Sequence, residues 1–201
     1  MTIIAFISQK GGVGKSTLSQ ALAVEAEKQK IKVLLADCDI QQGTSHEWSK
    51  IKGKIPCQVF NSVKEVWPLV KQYDLIIIDG PARTSAGTLE IAKKADLLIQ
   101  PTGASRADLI PAVKEFNALV KAGVPKKKLL FVLTRLSTPA EAKVIQEYLK
   151  KTGYACSLFY VMEKASYKQI QNEGKSITQT KYQGLAQQAK ELISGLLDYL
   201  N

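Results

Sequence analysis

The segment that most restricts this chain is a short apolar run, Ile3–Ile7, followed by Ser8-Gln9 and then Lys10-Gly11-Gly12-Val13-Gly14-Lys15-Ser16-Thr17. Five consecutive apolar residues ended by a turn read as a strand covered on both faces. Three glycines in four positions let the backbone curl so that its N–H groups point inward. A helix beginning around Lys15 brings the positive end of its dipole to the same place. Together these features make a cradle for phosphate groups. Lys15 would reach the β and γ phosphates, the Ser16 hydroxyl would join Mg²⁺, and Thr17 would donate to the α phosphate. A ligand-free strand-to-helix turn accounts for the glycines but leaves Lys-Ser-Thr unexplained.

The rest of the chain repeats the alternation. Strands are expected at Ile3–Ile7, Ile31–Ala36, Cys57–Phe60, Leu75–Ile78, Leu97–Ile99 and Leu129–Leu133, with a weaker one at Tyr154–Phe159. Helices are expected near 15–29, 44–51, 64–72, 85–94, 106–122, 139–151, 163–172 and 184–200. Unbroken apolarity in Leu75-Ile76-Ile77-Ile78 marks a strand with no wet face. Strands alternating with helices build a parallel sheet with helices on each side. The expectation is an α/β fold: one P-loop NTPase domain over residues 1–201, with a mostly parallel twisted sheet and helices on both faces. A chain of 201 residues is long enough to bury a substantial core.

Two later strands end in acids, at Asp37-Cys38-Asp39 and at Asp79-Gly80-Pro81. Open parallel sheets bind ligands at the carboxyl ends of their strands, which is where these groups fall. A magnesium site with one hydroxyl and waters wants a nearby carboxylate, and Asp79 suits that role beside Ser16. Asp37 would support the loop or the water shell of the metal. Any one such acid is as well explained as the cap of the next helix; their order after the phosphate loop is what carries weight.

The general phosphate-loop pattern, GxxxxGK[ST], needs glycine where Gln9 stands, and here a second lysine, Lys10, precedes the glycine pair. KGGxGK[ST] resembles the deviant Walker A motif of the ParA/MinD family. The resemblance implies ATP and Mg²⁺ as cofactors, and a Lys10 that reaches across a dimer interface to the nucleotide of the other subunit. It implies that Asp39, second aspartate of a DxD motif, orients the attacking water. It further implies that Thr134-Arg135, after the strand ending at Leu133, contacts adenine. Pro101–Ser105 matches a proline-marked loop, and Glu173-Gly174-Lys175-Ser176-Ile177 a late GxS segment. Ile40 departs from the proline common after DxD.

Within the family the chain is most similar to short ParA-type plasmid partition ATPases. It starts at its first strand, so no helix-turn-helix domain is expected. The implied cycle is an ATP-bound homodimer on nonspecific DNA, released when a small centromere-binding partner of the ParB/ParG kind stimulates hydrolysis. Net charge is +10, and residues 121–181 hold 12 Lys/Arg against 4 Asp/Glu. Such concentrated positive charge suits a polyanion, though it also describes a solvated face. Candidate DNA contacts are Lys150, Lys151, Lys164, Lys168, Lys175 and Lys181; Lys126–Lys128 is equally well a wet loop.

Rival functions are weaker. A MinD-like membrane positioner would carry a basic amphipathic terminal helix, yet Tyr182–Asn201 has net charge −1, and Leu185, Leu192, Leu196 and Leu200 suit packing onto the domain. A redox relative would hold an iron–sulfur cluster by cysteines, but Cys38, Cys57 and Cys156 read as small buried residues. A small-molecule ATP-dependent ligase or kinase has no marked second pocket. Trp48, Trp67, Tyr148, Tyr160 and Tyr167 are expected in the core or an interface. With no signal peptide and no apolar run of about 20 residues, the expected location is the cytoplasm, on the nucleoid.

Overall fold

The computed structural model describes residues 1–81 and 86–198. Among these, seven strands form one sheet: β1 (Thr2–Phe6), β2 (Val33–Asp37), β3 (Cys57–Val59), β4 (Leu75–Asp79), β5 (Leu97–Thr102), β6 (Leu129–Leu133) and β7 (Ala155–Cys156). Their spatial order is β3-β2-β4-β1-β5-β6-β7, and every pairing is parallel. The helices are α1 (Lys15–Lys28), α2 (Thr44–Lys52), α3 (Ala86–Lys94), α4 (Arg106–Lys121), α5 (Pro139–Lys151), α6 (Ala165–Asn172) and α7 (Gln183–Leu197). The expected α/β architecture is therefore the observed one.

Alternate residues of each central strand feed two cores. Ile3, Ala5, Ile76 and Ile78 join Ile91 of α3, Phe116 of α4 and Leu149 of α5 on one face. Ile4, Phe6, Leu75 and Ile77 join Leu22 of α1, Trp48 of α2, Tyr167 of α6 and Leu192 of α7 on the other. Helix α1 lies against both the sheet and α7, which explains why it is buried on most sides. Leu192 and Leu196 are buried and Leu185 packs at the core margin; Leu200 lies outside the described residues.

Four expectations about elements need correction. The segment 64–72 is not one helix but two 3₁₀ turns, Val63–Glu65 and Trp67–Gln72. Pro68 has no N–H to donate and its ring crowds the preceding turn, which favours two short turns over one α-helix here, although α4 does run on past Pro111. The strand expected at Tyr154–Phe159 shrinks to Ala155–Cys156. There the Ser157 hydroxyl accepts from the Phe159 N–H, and Gln146 donates to the carbonyls of Ser157 and Leu158, turning the chain off the sheet. Strand β2 begins at Val33 rather than Ile31, because the Ile31 N–H still donates to Ala26 at the end of α1. Strand β5 runs on through Gln100-Pro101-Thr102, held by β6. Of the aromatics expected in the core or an interface, Tyr148 lies outside the core, at 42 % exposed.

Candidate functional site

Because the strands are parallel, their carboxyl ends share one edge. Strands β1, β2 and β4 deliver Ser8–Gly14, Asp37–Asp39 and Asp79 to it. Gly12 and Gly14 have φ of 72° and 100°, the left-handed region that L side chains avoid. Gly14 caps α1 with no side-chain acceptor on the first-turn N–H groups, so these are free to hold an anion. A cavity of about 450 Å³ opens above them, lined by Gly11, Gly12, Gly14, Lys15, Ser16 and Thr17, and also by Asp39, Thr134 and Arg135. Lys15 is buried at the foot of this cavity.

Asp79 is fully buried beneath the loop. Its Oδ2 accepts from the Ser45 hydroxyl at 2.7 Å, and the Ser16 hydroxyl is near enough to favour the charged carboxylate. Its Oδ1 has no partner among the described residues. Burial pushes the Asp79 carboxyl up to about 6, against the hydrogen bonds of Ser45 and Ser16; the Asp37 charge raises it and Lys15 lowers it. A donorless buried oxygen beside a serine hydroxyl fits a hard cation that takes oxygen ligands. No group of three or more His, Cys, Asp or Glu among the described residues could hold a metal by itself. A cation here would depend on Ser16, Asp79, phosphate oxygens and water.

Asp37 has the geometry of an anchor. Its Oδ1 accepts from the Asp39 N–H, and its Oδ2 from the N–H groups of Ser45 and His46 at the start of α2. Burial raises its carboxyl, against these backbone hydrogen bonds. The Asp39 carbonyl accepts from Gln42 and Gly43, so the loop carrying Asp39 and the exposed Ile40 is pinned at both ends. The half-buried Asp39 side chain lines the cavity.

Lys10 is ion-paired within its own chain to Asp108 in the first turn of α4. The Ser105 hydroxyl donates to the same carboxylate at 2.7 Å. Burial works to raise Asp108, but the hydrogen bonds of Lys10 and Ser105, with the charges of Lys10 and Arg135, hold it below the usual carboxylate range. About two turns further along α4, buried Glu115 accepts from the Gln9 N–H and from Gln100. Helix α4 thus grips the loop at both Gln9 and Lys10.

Thr134 and Arg135 bound the cavity, but their polar groups face the loop. The Thr134 hydroxyl donates to the Val13 carbonyl at 2.7 Å, and Arg135, at φ 57°, donates Nη1 to the Gly12 carbonyl at 2.9 Å. The six candidate DNA lysines sit in separate places. Lys150 and Lys151 end α5. Lys164 and Lys168 line the cavity itself, with Lys168 paired to Glu163. Lys175 is paired to Glu173 in the GxS segment, and Lys181 lies over the Tyr182 ring before α7. Of the alternative lysines, Lys128 donates to the Ala95 carbonyl and Lys126 lies over the Tyr154 ring. Cys38, Cys57 and Cys156 are free and half-buried rather than fully buried, and burial pushes each thiol up to about 12.

Sequence reasoning missed Ser45, Glu115 and Asp108 as members of the site, and Gln171, which also lines the cavity. Only Asp108 carried a usable signal, since Ser105-x-x-Asp108 is a helix-capping pattern.

A family model for the CobQ/CobB/MinD/ParA nucleotide binding domain matches residues 4–177. Among solved structures, MinD from Aquifex aeolicus in its complex with MinC superposes with TM-score 0.78 at 18% identity, covering 98% of this chain and 96% of that one. An ATP complex of an McdA variant from Cyanothece gives 0.75 at 19% identity, over 98% and 96%. A putative plasmid partition protein from Borrelia burgdorferi bound to AMPPNP gives 0.70 at 20% identity, over 98% of each chain. At these identities the likeness is one of fold. A curated relative, the uncharacterized protein BBD21 of Borreliella burgdorferi, is 58% identical over 48 residues, which is 24% of this chain and 19% of that protein.

Proposed function

Because the chain belongs to the CobQ/CobB/MinD/ParA family of nucleotide-binding domains, we propose that residues 1–201 act as one ATPase unit whose ATP-bound dimer holds nonspecific DNA for partition. The observation that carries the nucleotide reading is the meeting of buried Lys15, Ser16 and the unpartnered Asp79 oxygen under a loop of left-handed glycines. In this reading Lys15 and the first-turn N–H groups of α1 bind the β and γ phosphates, and Thr17 donates to the α phosphate. Ser16 and Asp79 hold Mg²⁺, which when bound neutralises charge on the phosphates. Asp39 orients water at the γ phosphate, and Asp37 keeps the Asp39 loop and α2 in place.

Lys10 is the residue that turns the site into a switch. In this chain it is held by Asp108. To stabilise charge on the nucleotide of a second subunit it must exchange that carboxylate for phosphate oxygens. Dimerisation and loss of the Lys10–Asp108 pair are then one event, with hydrolysis as the timer that reverses it.

The partition reading rests on the basic stretch 121–181 and on the likeness of fold to a plasmid partition protein. The apolar stripe of α7 packs into the core, which supports treating this helix as part of the domain rather than as a membrane-facing one. The partner expected to stimulate hydrolysis is a small centromere-binding protein. The test is binding to arbitrary duplex DNA with and without ATP-Mg²⁺ across a salt series. Binding that requires ATP and falls steeply with salt supports the proposal. ATP-dependent flotation with anionic liposomes in place of DNA binding would move the protein to a membrane-positioning role.

A further inference from the structure

A continuous hydrogen-bond chain crosses the site from the nucleotide cavity to the buried carboxylate. Thr17 Oγ1 donates to Gln171 Oε1 at 3.3 Å, and Gln171 Nε2 donates to Gln20 Oε1 at 2.8 Å. Gln20 Nε2 then donates to Ser45 Oγ at 3.3 Å, and Ser45 Oγ donates to Asp79 Oδ2 at 2.7 Å. It links α6, α1, α2 and the end of β4. Gln20 is 1% exposed and Ser45 0%, so water cannot substitute for either contact.

The direction of the chain is set by its end. A carboxylate oxygen only accepts, so the single Ser45 proton goes to Asp79. Ser45 must then accept from Gln20, which turns its amide nitrogen toward Ser45 and its oxygen toward Gln171. Gln171 must therefore present its own nitrogen to Gln20, leaving its oxygen for Thr17. Every donor points toward Asp79, an arrangement in which each bond polarises the next. Ser45 is fixed a second time through its N–H on Asp37.

On the reading of the site as one for a magnesium nucleotide, we infer that Gln20 and Gln171 are positioning residues that aim the free Oδ1 of Asp79 at the cation beside Ser16. Neither need touch the metal. The far end of the chain also registers the nucleotide. Thr17 has one hydroxyl proton, and giving it to the α phosphate takes it from Gln171. Gln171 lines the cavity and is only half-buried, so its freed oxygen faces the space that the ligand enters. Metal geometry and nucleotide occupancy are coupled by two amides that have no other evident task in the core.

The experiment is a titration of a fluorescent ribose-labelled ATP, in EDTA and over a range of Mg²⁺, on wild type, Gln20→Met, Gln20→Glu and Gln171→Met. Methionine keeps the volume and removes the amide, whereas glutamate has no N–H to give and draws the Ser45 proton away from Asp79. Affinity in EDTA is expected to stay within about twofold, since direct phosphate contacts are intact. The Mg²⁺ concentration for half-maximal tightening should rise about tenfold in both Gln20 variants, the usual cost of losing support behind a metal ligand. Gln171→Met should raise it by about threefold, being one bond further away. A folded Gln20→Met protein with wild-type Mg²⁺ dependence would overturn the relay alone. Should that variant lack a cooperative melt, an unchanged Mg²⁺ dependence in Gln171→Met overturns it equally. A wild type that binds the labelled ATP but ignores Mg²⁺ would overturn the metal site together with the relay, and one that binds no ATP at all would overturn the nucleotide-site reading.

Discussion

Replacing Asp79 by asparagine should make the nucleotide-free protein more stable at neutral pH while disabling the metal site proposed there. Asp79 is wholly buried, and its folded carboxyl titrates at about 6 against an ordinary 3.8. At about 1.4 kcal/mol per unit, a shift of about two units sets a ceiling of roughly 3 kcal/mol for the cost of the buried charge. The sign follows from the raised value. The folded state holds the proton more tightly than the unfolded one, so the stability it contributes is fully present below 3.8 and is lost as pH rises through about 6. Asparagine cannot ionise, and its oxygen still accepts from Ser45, so the variant escapes that loss. Asp37, buried and also raised, tilts both proteins, and because its charge repels Asp79 the substitution relieves it as well, in the same direction. Urea unfolding in EDTA should show the variant ahead by about 1–3 kcal/mol near pH 7.5, with the gap closing toward pH 4. Added Mg²⁺ and ATP should reverse the order, because only wild type gains binding free energy from the metal. A variant less stable than wild type near pH 7.5, or ahead by an amount that ignores pH, would refute the account of Asp79 as a charge kept in place for a cation.

Asp39→Ala should bind ATP with near wild-type affinity yet lose about 10²-fold or more in turnover, measured by phosphate release. Lys15→Ala should bind no nucleotide at micromolar concentrations by the same fluorescent titration. Asp108→Ala should free Lys10 and tighten ATP-driven dimerisation about two- to fivefold by analytical ultracentrifugation, the value of a half-exposed ion pair; weaker dimerisation would mean that Asp108 serves the dimer directly. Gly174→Ala should lower stability by about 2 kcal/mol or more in thermal melts, because Gly174 sits at φ 69° and a Cβ there would lie 2.6 Å from the Ile51 Cβ.

The sheet was legible because its central strands are buried on both faces and written as unbroken apolar runs, Ile3–Ile7 and Leu75–Ile78 above all. Legibility failed where a local event outweighed periodicity. Pro68 split one expected helix, and the turn at Ser157 cut the edge strand β7 to two residues. At the edge of a sheet fewer neighbours enforce the strand, so one serine hydroxyl suffices to end it.

The site divides along a similar line. The glycines, Lys15 and Ser16 stand on one contiguous stretch, and contiguous sequence is enough to read the chemistry proposed for them. Ser45 and Asp79 are 34 residues apart, and Thr17 and Gln171 are 154 apart. No spacing rule relates them, since the strands and helices that intervene set their distance. Lys10 shows why this matters for mechanism as well as for prediction. Its position in the motif identifies a spare cation, but only the fold reveals that Asp108 already holds it. A lysine with a resident carboxylate is not simply available to a second subunit. On the proposed dimer reading, its transfer would be driven by the stronger field of a bound triphosphate, and an empty site would offer Lys10 no such exchange.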